Sequence, residues 1–143
     1  MEIEKLISIY KTKKEFIIYP KSQTQFGFWR CISPVFKIPF NCEKRELLQI
    51  LKDAFERSNK EIIICDSNNK ETNSRFLKEL GVKSWLSLYN NSISCSLYQT
   101  NNKIEFIPYK HEGRKGNFPI KEKQRVFDVN DFDSIVELMF QGW

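Results

Sequence analysis

A single histidine, His111, serves all 143 residues, and none of the four cysteines (31, 42, 65 and 95) follows a Cys-x-x-Cys spacing. A zinc site built on His and Cys ligands is therefore not expected. The chain has no Gly-rich phosphate cradle, no Gly-Lys-Ser/Thr and no Gly-x-Ser-x-Gly, so the common nucleotide-binding and acyl-transfer signatures are missing. Five glycines and five prolines are too few for a linker or a fibrous repeat. No apolar run nears the roughly 18 residues a membrane span needs, and Met1-Glu-Ile-Glu-Lys5 lacks the basic-then-apolar leader of an exported chain. The expectation is a cytoplasmic protein with reduced, buried cysteines, no metal, no cofactor and no membrane partner.

What is present is apolar and aromatic. Hydrophobic residues make up 41% and aromatics 14%, which excludes a disordered polar chain and suits one folded domain over residues 1–143. The net charge of +5 is uneven. Residues 1–60 hold twelve Lys/Arg against seven Asp/Glu, whereas Val126–Trp143 holds four acids and no base. A modest basic excess suggests nucleic-acid binding only weakly.

Periodicity sets the element order. Leu6–Tyr10 and Glu15–Tyr19 read as a hairpin that Pro20 should end. Gln25–Arg30 and Val35–Ile38 read as further strands, with Ser33-Pro34 bending the chain between them. Asn41 is placed to cap a helix running to Ser58, whose apolar face is Leu47, Leu48, Ile50, Leu51, Ala54 and Phe55. Glu61–Cys65 reads as a short strand, Ser74–Leu80 as a helix closed by Gly81, and Ser84–Leu88 as a further helical turn. Ser92–Tyr98 and Lys103–Tyr109 flank an Asn101-Asn102 turn. Lys110–Lys123 reads as a basic, mobile loop, followed by a strand at Arg125–Val129 and a helix at Asp131–Gln141. The fold class is α+β: two antiparallel β-sheets braced by two main helices, in a β-β-β-β-α plus β-β-β-α pseudo-repeat. The echo between Val35-Phe-Lys-Ile38 and Val126-Phe-Asp-Val129 suggests two related halves.

Catalytic chemistry has little to rest on. His111 would need a carboxylate or cysteine partner to act as a base, and its basic loop favours a solvated imidazole. The chain is read as not an enzyme. Phe26, Phe28, Trp29 and Arg30, with Lys11, Lys13 and Lys14, could form an aromatic-basic surface for single-stranded nucleic acid. The competing reading puts those rings in the core and the lysines along a guarded strand edge.

One resemblance is carried by ordered motifs: Gly27-Phe-Trp-x-x-x-Ser-Pro-Val-Phe-x-Ile-Pro39 before an apolar helix, Leu80-Gly-Val-Lys-Ser-Trp85, Ile104-Glu-Phe-Ile-Pro108, and the final strand and helix. Together they resemble a group of immunity proteins from bacterial contact-dependent growth inhibition systems. The resemblance implies a cytosolic protein that neutralises the C-terminal toxin domain of a surface effector, often a nuclease, by stoichiometric binding and without a cofactor. The matching residues look like scaffold, so specificity is expected in the loops. Glu61, Asp66 and Glu71 are the first toxin-binding candidates. Lys110, Arg114 and Lys115 follow if the toxin surface is acidic. Asp128, Asp131 and Asp133 suit helix capping instead. The alternative is a single-stranded nucleic-acid binder of Whirly-like architecture, a likeness of fold that does not itself transfer DNA binding.

Overall fold

The computed structural model describes residues 3–64 and 69–143, with the side chains of 69–71 outside the description. Its strands are β1 (Glu4–Lys11), β2 (Glu15–Gln23), β3 (Trp29–Cys31), β4 (Phe36–Pro39), β5 (Ile93–Thr100), β6 (Lys103–His111), β7 (Asn117–Pro119) and β8 (Arg125–Asp128). Its helices are α1 (Lys44–Arg57), α2 (Asn69–Leu80), α3 (Trp85–Asn90) and α4 (Phe132–Gln141). The α+β class is as the sequence implies, but the strands form one antiparallel sheet, ordered β3-β2-β1-β5-β6-β7, rather than two. β4 also pairs β2, and β8 also pairs β6.

The two halves repeat in detail. In each, a hairpin carries two short strands along the outer edge of its second strand, and a helix follows. β3 pairs the end of β2 and β4 its beginning. β7 and β8 divide β6 in the same way. The halves meet where β1 runs antiparallel to β5, from Glu4–Thr100 to Lys11–Ile93. Sequence reasoning missed β7, which lies inside the stretch read as a mobile loop.

Pro20 and Pro108 explain why neither hairpin stops where a proline should stop it. Each sits at the gap between its two short edge strands. The Pro20 carbonyl accepts Ile32 N–H at 3.0 Å and the Pro108 carbonyl accepts Ile120 N–H at 2.9 Å. In an antiparallel ladder a residue's N and O point the same way, so each proline's missing donor faces a place that asks for none. The register also corrects the Val-Phe echo. Ile38 pairs Phe16 and Phe127 pairs Ile104, so Ile38 and Phe127 are the equivalent buried residues, and Phe36 matches Arg125.

Strand alternation divides the sheet into two faces. One face carries Ile7 and Ile9, Phe16 and Ile18, Cys95 and Leu97, and Ile104 and Phe106, all buried beneath α1 and α4. α1 adds Leu47, Leu51, Ala54 and Phe55, and α4 adds Ile135, Val136 and Met139. Each fully buried Leu or Ile here contributes about 1.5–3 kcal/mol. Phe55 meets Phe132 edge-on at 5.7 Å, and Lys44 ion-pairs with Glu137, so the helices of the two halves touch directly. α1 begins two residues later than expected. Glu43, not Asn41, is its N-cap and makes no side-chain capping bond.

The opposite face is covered over only one half. Tyr10, Ile17 and Tyr19 pack against Phe76 and Leu80 of α2 and Leu88 of α3. Gly81 (φ 78°) closes α2, with Val82 N–H reaching the Leu77 carbonyl at 3.2 Å. Ser84 caps α3 through Ser87 N–H. No helix among the described residues is long and apolar enough to cross a membrane.

Candidate functional site

Four large apolar side chains stand out of the surface where α1 hands over to the following segment. Phe26 and Phe28 are 71% and 72% exposed, and Ile62 and Ile64 are 66% and 76% exposed. The Phe26–Phe28 display is built by Thr24–Phe28, a tight loop where a strand was expected. Phe28 O accepts Thr24 N–H at 2.7 Å and Thr24 O accepts Gly27 N–H at 2.9 Å. The buried Thr24 Oγ1 accepts the amides of Phe26 and Phe28, each at 3.3 Å. Gly27 turns the chain at φ 84°, a conformation that costs an L-residue about 1–2 kcal/mol. The loop is thus shaped by its own backbone, and the two rings are left for solvent or a partner.

Ile62 and Ile64 come alongside through main-chain pairing. Ile63 N–H donates to Gln23 O at 3.0 Å, and Gln25 N–H donates to Ile63 O at 3.2 Å. Instead of the strand expected at Glu61–Cys65, only this bridge forms among the described residues. Its neighbours are exposed because only Ile63 reaches the sheet, on the β1-facing side of the end of β2, just beyond the Asn59 contact to Gln23.

What fixes this segment is a clasp that sequence reasoning missed. Ser58, fully buried, accepts Leu6 N–H at 2.9 Å and reaches Lys21 O at 2.6 Å. Asn59, at φ 56°, accepts Gln23 N–H at 2.9 Å and donates to Glu4 O at 3.0 Å. Ser22 Oγ accepts Asn59 N–H at 2.9 Å. The available signal was a Ser-Asn pair at a helix end, residue types that bond backbone locally.

The expected site residues divide. Glu61 is exposed beside Ile62 and lines a groove of about 530 Å³ with Asp53, Glu56, Arg57 and Lys60. Asp53 and Glu56 are acids of α1 that sequence reasoning did not attach to Glu61. Asp66 lies outside the described residues, as does the Glu71 side chain. Lys110, Arg114 and Lys115 are exposed at the β6–β7 connection, with Lys110 at 3.6 Å from Glu112. Glu61 lines the groove beside α1, whereas Lys110 lines a different pocket with His111 and Trp143, so the structure does not bring the two groups together.

His111 is half-buried, not the solvated imidazole expected. Its Nδ1 lies 2.8 Å from Asn117 Oδ1, its Nε2 lies 3.1 Å from Asn90 Oδ1, and its ring sits 5.0 Å from Tyr89. Both ring nitrogens face Asn side-chain oxygens, and neither reaches a hydroxyl, thiol or carboxylate among the described residues. Among the described residues no cluster of three or more His, Cys, Asp or Glu could hold a metal ion. Cys95 is buried, and Cys31 and Cys42 are half-buried; burial raises the pKa of all three thiols. Cys65 lies outside the described residues.

The arrangement required for single-stranded nucleic acid does not form. Lys13 and Lys14 lie in the β1–β2 turn, while Phe26 and Phe28 lie past the far end of β2, about 26 Å away along the strand. Lys11 is tied to the Met139 carbonyl and sits over the Phe16 and Phe40 rings. Trp29 is half-buried, with its ring 6.3 Å from Tyr98.

The opposite sheet face holds a second feature, a trough of about 370 Å³. The sheet curls so that Trp29 of β3 and Asn117 of β7 line the same space, with α3 as a further wall. Tyr10 and Tyr19 hydroxyls lie 3.2 Å apart, and Tyr109 OH donates to Ser96 Oγ at 3.0 Å. Burial raises the pKa of both Tyr10 and Tyr19 well above the ordinary phenol range.

No family model matches the chain, and no curated protein matches it in sequence. Solved structures share its fold. A protein of unknown function from Neisseria meningitidis superposes with a TM-score of 0.70 at 14% identity, over 94% of this chain and 89% of that one. A chain of a CdiA-CT/CdiI toxin and immunity complex from Yersinia pseudotuberculosis superposes with a TM-score of 0.65 at 14% identity, over 90% of this chain and 88% of that one.

Proposed function

We propose that this chain is an immunity protein: a non-enzymatic, cytoplasmic binder that neutralises the toxin domain of a contact-dependent growth inhibition effector. The observation that carries the reading is the backbone-fixed display of Phe26 and Phe28 beside Ile62 and Ile64. A rigid exposed aromatic loses little entropy on binding, and such residues dominate interface energetics. The fold shared with a chain of a toxin and immunity complex directs the reading towards a toxin partner. Glu61, with Asp53 and Glu56 nearby, supplies negative charge at the rim for a basic nuclease toxin, within a chain that is basic overall. Lys110, Arg114 and Lys115 lie on another edge and fall outside this surface.

Stoichiometric binding needs no catalytic group and no cofactor. The test is co-expression with the product of the adjacent toxin reading frame. The expected result is a one-to-one complex that survives purification, with protection of cells making the toxin. Absence of both complex and protection would overturn the proposal. Oligonucleotide binding that weakens steeply with salt would favour the nucleic-acid reading instead.

A further inference from the structure

The trough on the second sheet face is lined by two cations, Lys21 and Arg30, and by no counter-ion for Lys21. Lys21 lies in β2 opposite Leu6 of β1 and Cys31 of β3, and alternation places it on the same face as Tyr19. Its ammonium makes no hydrogen bond or ion pair with any described residue. Burial lowers its pKa from the ordinary lysine value, opposed only by the Cys31 sulfur. A desolvated ammonium is costly unless an opposite charge meets it. Lysines of strand surfaces usually avoid that cost by reaching water. Lys21 is half-buried at the side of the trough.

The rest of the trough suits an incoming anion. No carboxylate lines it. Its floor is a row of small hydroxyls, Ser8, Ser94 and Ser96, on the two central strands. Ser96 accepts from Tyr109, which leaves its own proton to donate. Tyr10, Tyr19 and Tyr89 form a linked set of hydroxyls, and burial holds the first two in the neutral form, as donors rather than phenolates. The walls include the half-buried rings of Trp29 and Tyr89. A volume of about 370 Å³ is that of a small-molecule site.

We infer that the trough is a binding site for a small organic anion, a carboxylate or phosphate carried on a flat ring. Lys21 supplies the counter-charge, Ser96 and its neighbours donate hydrogen bonds, and Trp29 stacks on the ring. The inference does not depend on the toxin-neutralising reading. It concerns another surface, and either can fail alone.

The test titrates the full chain with benzoate, phenyl phosphate and the neutral benzyl alcohol. Binding is followed by tryptophan fluorescence and by NMR of lysine side chains carrying a carbon-13 label. Benzoate, phenyl phosphate or both are expected to shift the Lys21 resonance and to bind at least about tenfold more tightly than benzyl alcohol. Lys21→Met should erase that preference, Lys21→Arg should keep most of it, and Lys103→Met, outside the trough, should leave it intact. Preference for phenyl phosphate over benzoate would assign a phosphate, and the reverse a carboxylate. Equal binding of all three probes, an anion preference that survives Lys21→Met, or a Lys21 resonance unmoved by both anions would overturn the inference. The resonance is read in the unmutated chain, so the test holds even if Lys21→Met fails to fold.

Discussion

Replacing Ser58 with alanine removes one hydroxyl that bonds two strands to the end of α1. The residue has no exposed surface, so water cannot take its place. Leu6 N–H would lose its acceptor at 2.9 Å, and an orphaned buried amide costs about 1–3 kcal/mol. The bond to Lys21 O, at 2.6 Å, contributes about 1 kcal/mol more. The small cavity left by an oxygen adds little. The expected loss is therefore about 2–4 kcal/mol, a fall in Tm of roughly 4–16 °C for a chain of this size. Urea unfolding followed by circular dichroism measures it, with an unchanged m-value as evidence that only stability moved. Because Asn59 continues the same clasp, Ser58→Ala should also increase hydrogen exchange at Gln23, Gln25 and Ile63, whose amides join the loop to the Ile62–Ile64 segment. A change below about 0.5 kcal/mol, the range of ordinary surface substitutions, would refute the idea that this hydroxyl anchors the helix end.

Phe26→Ser and Phe28→Ser should each cost less than about 1 kcal/mol of stability, since under a third of either ring is buried. Each should weaken toxin binding by about 2 kcal/mol or more, roughly thirtyfold, by calorimetric titration of the purified partner. Leu51→Ala, at a fully buried position under the sheet, should cost about 2–5 kcal/mol in the same urea assay. Alkaline pH should unfold the chain. Tyr10 and Tyr19 have raised folded pKa values, so their contribution is complete below the unfolded phenol pKa of about 10 and is lost as pH rises beyond it. Phenolate absorbance should show these two rings ionising together with loss of structure.

The strongest periodic signals survived folding because packing and pattern agree. The apolar face of α1 is the face that meets the sheet, and the serine alternation of β5 marks a strand with one polar face. The breaker rules failed at Pro20 and Pro108 for a non-local reason. A proline ends a strand only if a partner needs its N–H, and here each proline meets the gap between the two short strands that share its outer edge. β7 was hidden because three residues are too few to carry a pattern of their own. Glu61–Cys65 read as a buried strand from composition, yet an apolar run does not announce that only Ile63, among its described residues, will meet a strand. The candidate surface was legible in part. Phe26 and Phe28 stood out as aromatics, but their exposure depends on Thr24 and Gly27 turning the loop. The link to Ile62 and Ile64 depends on Ser58 and Asn59. Lys21 attracted no notice because its isolation is a property of what surrounds it in space.

The meeting of β1 with β5 joins two structural copies of one arrangement, each a hairpin with two short edge strands and a helix. The ladder between them is written in main-chain hydrogen bonds, which do not depend on side-chain identity. Each copy can therefore drift, acquire an insertion or reshape a loop without consulting the other, provided its seam strand stays extended. α2 and α3 lie between the copies in sequence, and they shelter only one of them. The same economy frees the sequence of the seam, whose register runs on main-chain pairing from Glu4–Thr100 to Lys11–Ile93. It also accounts for how chains that agree at 14% of positions keep one architecture over nine-tenths of their length.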